Sequence, residues 1–556
     1  MVVKKLLFTI SLFFFYNISS SQNSFFDDIH LMDYQRTKQL INDSNGVITN
    51  SFLIRSTSSF QYLQSKLKGT TKDIVQSINF SYDQQNNSLL PMSFNDGNMY
   101  PNRGWQERYS VGVNLKLLIF DINYQPEKIT VQNLAQEYYA GNTLDGNFMF
   151  KYFGMVANNI DNFRQFGFDR IEETTLGQSR AGIKFKYLAA GLSNENIWWG
   201  PGKRNSLVFT NNAAGFKHYY LKTVEPIKTY IGSFEIAGVV GKLDTTKYTE
   251  IDQELLNICR PCKVFKNLDE REIDGITINW QPKWIPGFYI GYAYSRQFYR
   301  NSTDAFGETI NFFSKDLPKQ EIGSMIFRFA MPEDHAEIYG EMGMPNEAPW
   351  PWKFFKERVR PGYVFGATKL VPLNFFNSYL NLNVEFTQLQ LMNPKDILDL
   401  GYPYAGGKPN SWYLSTIVKQ GWSNNGQLLG SSIGPGSNNQ TISVSWNKGY
   451  NKIGLFVERT VFNNDFYFSV YYNPFAENGY GYYNRYWVDL TKRLELQLMP
   501  IKNILLSASF TNTHALNYRW IRIEDGSLYD EPSSYSDKYN NQFQMSIKYL
   551  LHAVVK

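Results

Sequence analysis

The chain is poor in cysteine and histidine, and that removes several function classes at once. Its only two cysteines, Cys259 and Cys262, sit in Cys-Arg-Pro-Cys. A thiol-redox centre needs a thioredoxin-like βαβ setting, and none is apparent here. A zinc site would need two more ligands close by. In an oxidising compartment the default for such a pair is a local loop disulfide. The five histidines (His30, His218, His335, His514, His552) are scattered, so no His-rich metal site is visible, and neither metal nor cofactor is expected. Charge does not cluster in long blocks, and the net value of +5 is mild for 556 residues. That gives no case for nucleic-acid binding. Beyond the N-terminus nothing approaches the run of about eighteen apolar residues that a spanning helix needs. Gly426–Gly430 and Ser432–Asn439 are rich in glycine, but they lack the lysine and the strand–helix setting of a phosphate or dinucleotide loop. There is no Gly-x-Ser-x-Gly elbow and no His-Glu-x-x-His. An enzyme is therefore not expected.

What is abundant is aromatic. Phe, Trp and Tyr make up 17% of the chain, with 38 Tyr and 42 Phe. Soluble cores do not need that many tyrosines, whereas outer-membrane barrels place aromatic girdles at both lipid–water boundaries. The N-terminus reads as a secretory signal. Lys4-Lys5 is the basic region, Leu6 to Tyr16 the apolar core, and Ser19-Ser20-Ser21 the small residues before cleavage ahead of Gln22. An exported, aromatic-rich chain without a spanning helix is either a soluble secreted protein or a β-barrel.

Periodicity favours the barrel. A helix is expected over residues 24–43, with Ser24 as cap and Asp27 and Asp28 in its first turn. A second helix is expected over 130–140, where Val131, Leu134, Ala135, Tyr138 and Tyr139 share a face. Ser51 to Ser59 reads as a short extended piece. From about residue 76 a period of two takes over. Leu380, Leu382, Val384 and Phe386 alternate with Asn381, Asn383, Glu385 and Thr387. Val111 to Ile119, Ile442 to Asn447, Leu494 to Leu498 and Gln542 to Leu551 repeat the pattern. Strands that are apolar on one face and polar on the other suit a lipid-facing wall around a wet lumen. Turn signals separate the ladders, and no repeat of 20–50 residues points to a propeller or solenoid. About 16 to 18 strands are expected, an even number.

Three stretches could carry chemistry. Trp198-Trp199-Gly200-Pro201-Gly202-Lys203-Arg204-Asn205 sets two indoles and three polar side chains around a tight reversal. Proline presets the first central position of a type II turn, and Gly202 would take the positive φ at the second. Indole faces stack on sugar C–H faces, and Arg and Asn forks reach hydroxyls and carboxylates. The same residues could equally form a structural corner. Trp350-Pro351-Trp352, followed by Lys353, Lys356, Arg358 and Arg360, is a second aromatic–basic group that would complement an acidic polysaccharide. Glu337 and Glu341 share a strand face, but at ~13 Å they lie too far apart for a glycosidase pair.

Taken together, several of these stretches resemble the Wzi capsule-assembly family. They are Trp198 to Asn212, Glu337-Ile338-Tyr339-Gly340-Glu341, Tyr379 to Gln388 and, longest, Gln420 to Gln440. Asn102-Arg103-Gly104-Trp105-Gln106 and Gln125-Pro126-Glu127 add to the likeness. It covers roughly residues 100 to 470, and the Asn- and Tyr-rich bias suggests a Bacteroidetes-like member. The resemblance implies an 18-stranded all-β outer-membrane barrel with periplasmic helices at one end. It implies surface attachment of capsular or exopolysaccharide, as a lectin. The expected organisation is a signal peptide (1–21), an N-terminal periplasmic helical segment (22–75) and a transmembrane barrel (76–556). The partners expected are the polysaccharide and outer-membrane lipid, with the chain a monomer. Candidate sugar contacts are Trp198, Trp199, Lys203, Arg204, Asn205, Trp350 and Trp352. A solute channel and a hydrolase acting on glycan or lipid are the alternatives. The hydrolase would require a nucleophile or carboxylate pair at reaction distance, and Glu337 or Glu341 within hydrogen-bond reach of His335 would favour it.

Overall fold

Strict alternation over long runs is satisfied when one face meets lipid and the other meets a polar interior. A computed structural model of the chain shows that arrangement. It describes residues 29–41, 50–55, 75–136, 152–248, 266–300, 317–345, 361–373, 378–391, 411–471, 486–501, 503–520 and 537–551. The proposed signal peptide, Ser24, Asp27, Asp28, Cys259, Cys262, Trp350 and Trp352 lie outside these residues.

Eighteen antiparallel strands close into one barrel. The last, Lys538–Leu551, pairs with the first, Val75–Asn87, with Ile78 opposite Leu551. Closure removes the unpaired edges that an open sheet would leave in a membrane. Three strands are interrupted: Phe120–Tyr124 continues as Glu127–Val131, Ile171–Thr175 as Arg180–Phe185, and His218–Thr223 as Ile227–Thr229. At one end the strands turn tightly, as between Leu117 and Phe120, Phe185 and Leu188, Thr229 and Gly232, and Lys448 and Asn451. Long connections lie at the other end. Outer-membrane barrels keep short turns on the periplasmic side.

The ladders read from the sequence face as the alternation requires. On Asn438–Lys448, Ile442 is 57% exposed, whereas Thr441 and Ser445 are buried. On Asn451–Val461, Leu455 is 61% exposed while Glu458 and Thr460 are buried. The hydrophobic core therefore cannot lie on the outer wall; it lies in the lumen. Leu207, Phe209, Trp412, Tyr413, Trp422 and Leu428 form its centre. They come from connections folded back into the barrel rather than from the strands.

Among the described residues, three segments contribute most to filling the lumen. The helix Ile29–Leu40 sits at the short-turn end, where the Leu40 carbonyl meets His335 Nδ1 (2.9 Å) and Tyr34 packs on Tyr450 with ring centroids 4.0 Å apart. Both His335 and Tyr450 belong to tight turns. Arg36 of this helix is buried against wall residues, so the helix is lodged inside the barrel at the short-turn end. The connection 194–217 enters from the long-loop end and meets this helix. The connection 411–437 fills the upper half. Residues 130–140 do not form the expected helix. Glu127–Val131 is a strand whose Val131 pairs with both Gln106 and Ile171, and pairing on two sides outweighs the helical spacing. Residues 132–136 continue without helix, and 137–140 lie outside the described residues.

A charge on the lipid face should cost far more than one facing the lumen. Leu455→Arg is expected to lose about 2–4 kcal/mol of folding free energy in vesicles, whereas Ser443→Arg, beside a polar cavity, should fold nearly as well as the parent. Urea titration of the vesicle-bound proteins reads both.

Candidate functional site

The Trp198–Asn205 stretch forms the deepest point of the inward connection. Trp198 and Trp199 pair antiparallel with Arg55 and Ile54, so the extended piece near residue 54 exists to receive them. The backbone then reverses. The positive φ falls on Gly200 (128°), before the proline, and not on Gly202 as a type II turn requires. A side chain at Gly200 would collide with the Glu341 carboxylate and the Ser206 hydroxyl. The turn's carbonyls point at cations: Pro201 accepts from Arg36 Nη1 (2.6 Å) and Arg55 Nη2 (3.1 Å), and Gly202 accepts from Arg55 Nη2 (2.9 Å).

Four buried carboxylates from four places on the wall hold this loop. Glu337 accepts from Arg36 Nε (2.9 Å), Arg328 Nε (2.8 Å) and Thr368 (3.0 Å), with Lys203 Nζ 3.4 Å away. Glu385 accepts from the backbone N–H groups of Lys203 (2.6 Å), Arg204 (3.1 Å) and Asn205 (2.8 Å), and from the Tyr339 hydroxyl (2.9 Å). Glu341 accepts from Ser206 (2.6 Å) and Leu207 N–H (2.9 Å). Glu458 holds Arg204 through Nε (2.7 Å) and Nη2 (3.3 Å). Burial pulls the Lys203 pKa below the ordinary lysine value, and Glu337 offsets this only in part. Burial also opposes the Arg204 charge, but Glu458, helped by Glu385 and Asp96, outweighs it and holds that guanidinium above its usual pKa.

The expected sugar contacts separate into two groups. Trp199 and Asn205 are enclosed by protein. Trp199 meets Phe209 edge-on (5.0 Å), and its ring lies on Gly275, where a Cβ would come within 2.8 Å of it. Asn205 donates to Thr387 (3.0 Å) and Asn439 (3.3 Å). These two residues build the corner. Trp198, Lys203 and Arg204 line a polar cavity of about 440 Å³ in the lumen, with Arg55, Arg108, Asn383, Lys452 and Glu495 among its other walls. Glu337 and Glu341 face the lumen as expected, but each is committed to the loop. His335 bonds Leu40 and not either carboxylate.

A second cavity, of about 180 Å³, lies toward the long-connection end. Its walls include Phe94, Tyr152, Arg164, Phe462, Trp487 and Trp520, and it shares Phe94 and Arg204 with the larger one. The sequence reading missed this group. Its aromatics are spread over four connections, and each taken singly looks like a girdle residue. The one available signal was their position beside strand ends facing long connections.

Family comparison adds to this geometry. The family model described as "Capsule assembly protein Wzi" matches residues 119–516. The chain belongs to that family. Among solved structures, the chain is similar to Wzi of Escherichia coli, described as an outer-membrane protein involved in group 1 capsule assembly and a carbohydrate-binding β-barrel. The identity is 12%, the match covers 94% of this chain and 98% of that one, and the TM-score is 0.56. At that identity the likeness concerns the fold. Acinetobacter baumannii OccAB2 follows at 10% identity, 87% and 99% coverage and a TM-score of 0.40, too low to carry an argument. No curated protein matches the sequence. Like the Wzi family, this chain is an outer-membrane barrel.

Removing Glu337 would leave Arg36, Arg328 and Lys203 buried around no anion. Glu337→Ala is expected to destabilise the folded barrel by about 3–5 kcal/mol, whereas Thr368→Ala, which removes one hydroxyl donor from the same carboxylate and leaves its cations in place, should cost less, about 1.5–3 kcal/mol. The temperature at which the compact, heat-modifiable form is lost on gels would report the difference.

Proposed function

We propose that this Wzi-family barrel holds capsular or exopolysaccharide at the outer face of the outer membrane, by binding and without chemistry. The observation that carries the reading is the aromatic- and arginine-lined cavity at the long-connection end of a barrel whose lumen is filled below it. Indole and phenyl faces stack on sugar rings, and guanidinium forks reach hydroxyls and carboxylates. Each contact is weak, and a repeating polymer supplies retention through avidity. The buried carboxylates support binding over catalysis, since Glu337, Glu341 and Glu385 are occupied by internal donors.

The filled lumen speaks against a solute channel. Residues of three inward segments, among them Arg36, Trp199 and Trp422, are almost wholly buried. Lipid is the second partner. Tyr230 and Trp284, exposed near tight turns at the short-turn end, suit the interfacial belt of a monomeric barrel.

Two measurements test this reading. Cells lacking the chain should shed their surface polysaccharide into the medium, and restoring the gene should return it to the cell; unchanged retention in the deletion strain would sink the proposal. Purified protein in planar bilayers should show no steady conductance, and a stable open pore would favour the channel reading instead.

A further inference from the structure

The smaller cavity contains an arginine whose N–H donors the described residues leave unused, although its charge reaches the Asp489 carboxylate. Arg164 lies on a segment anchored on both sides. Asp161 N–H donates to the Gln420 carbonyl (2.8 Å), Phe163 N–H to Gly426 (3.0 Å), and the Asn133 side chain donates to the carbonyls of Phe166 (2.9 Å), Gly167 (3.1 Å) and Asp169 (3.0 Å). The Arg164 guanidinium sits 4.6 Å from the Trp487 ring centroid and 5.5 Å from that of Phe462. No described residue accepts a hydrogen bond from it. Every other buried or half-buried arginine detailed above has at least one such acceptor. Aromatic stacking orients a planar fork without consuming its N–H donors, so this fork is preset and unspent.

Two further observations point the same way. Trp520, whose ring lines the same cavity and is 4% exposed, keeps its Nε1–H buried with no acceptor. Its backbone is left-handed (φ 56°), as are those of Asn517 (48°) and Arg519 (56°). A tryptophan in that region is a steric outlier, retained only where the surroundings force it. Trp487, by contrast, spends its Nε1–H on Asp489 (2.8 Å) and so presents only its face. The charges lining the cavity are Arg164, Arg204 and Arg519 against Glu458 and Asp489. Arg204 and Glu458 neutralise one another. The cavity therefore offers stacking faces, an indole N–H without an acceptor and a guanidinium fork whose N–H donors are unspent, with Asp489 as the carboxylate within electrostatic reach of that fork.

We infer that this chamber is a subsite for one acidic sugar residue of the polysaccharide, with its carboxylate on Arg164 and its ring beside Trp487 and Trp520. This rests on the polysaccharide-binding reading above and adds the subsite and the sugar class. A neutral hexose would leave the fork unpaired, whereas a uronate matches it in the bidentate geometry that guanidinium and carboxylate prefer.

The test uses the full-length barrel in detergent and the producing strain's own purified surface polysaccharide. The polymer is offered in native form and after chemical reduction of its carboxyl groups to alcohols. Binding is followed by quenching of tryptophan fluorescence. The parent should bind the native polymer and lose about ten- to a hundredfold on carboxyl reduction. Arg164→Gln should lose a similar factor on the native polymer and be nearly indifferent to reduction. Trp520→Phe, which keeps an aromatic face but loses the indole N–H and part of the ring area, should also bind more weakly, while Arg170→Gln, at an exposed ion pair outside the cavity, should bind as the parent does. Retention of the compact band on unheated gels controls for folding, and Arg164→Gln should retain it because no internal hydrogen bond is lost. Equal binding of native and reduced polymer, or parent-like binding by Arg164→Gln, would overturn the acidic subsite while leaving the polysaccharide reading intact. A parent protein that binds neither polymer overturns both.

Discussion

One buried carboxylate ties this molecule together. Glu337 joins the wall to the N-terminal helix through Arg36, to the inward loop through Lys203, and to the neighbouring strand through Arg328. A carboxylate with no exposure in a membrane barrel is tolerable only when cations and donors surround it. Here those cations arrive from three separate segments, so its solvation is also the joint between wall and filling. Arg328 extends the joint by donating to Gln39 (2.7 Å) and to the Ser51 carbonyl (3.1 Å). Glu385 does the same for the loop's backbone, gathering three successive N–H groups that a reversal inside a barrel would otherwise leave unpaired.

This clamp sets the shape of the space above and below it. Arg204, fixed by Glu458 and Ser432, lies 5.0 Å from the centroid of Phe94, and Arg493 lies at the same distance from that ring. The stack stands between the two cavities, and Phe94 and Arg204 border both. The lower space is larger and lined mainly by polar residues of the wall. The upper is small and aromatic, and is built from connections. The Gly-Pro-Gly reversal is thus a positioning element. It delivers Arg204 to the partition while Trp199 and Asn205 disappear into packing.

The wall was legible in the sequence because lipid imposes a single rule on every strand. Leu380 to Thr387 could be assigned to two faces by counting in twos, and the strand Ser378–Gln388 obeys that count. The filling obeys no such rule. Trp412, Trp422, Phe209 and Leu207 meet through contacts between residues some two hundred positions apart, and each lies in a stretch rich in glycine, serine and asparagine that reads as a loop. The same limit explains the site. Trp198 and Arg204 stood out because they are adjacent in sequence, yet adjacency placed Trp199 and Asn205 in the corner's packing. Arg164, Trp487 and Trp520 are drawn together only by the closed barrel. The helix foreseen at 130–140 failed for a related reason: Val131 has a strand partner on each side, and neither partner is local.

The joint at Glu337 also constrains how the molecule can be made. Its helix partner, Arg36, is 301 residues away in sequence. The N-terminal segment must therefore wait, unsatisfied, until well over half of the chain has followed it across the inner membrane. The loop around Gly200 must likewise descend from the long-connection end before the connection 411–437 settles into the upper half of the lumen above it. Wall and filling are thus committed to maturing together, and a mutation that slows the docking of either should appear as a defect of biogenesis before it appears as a defect of binding.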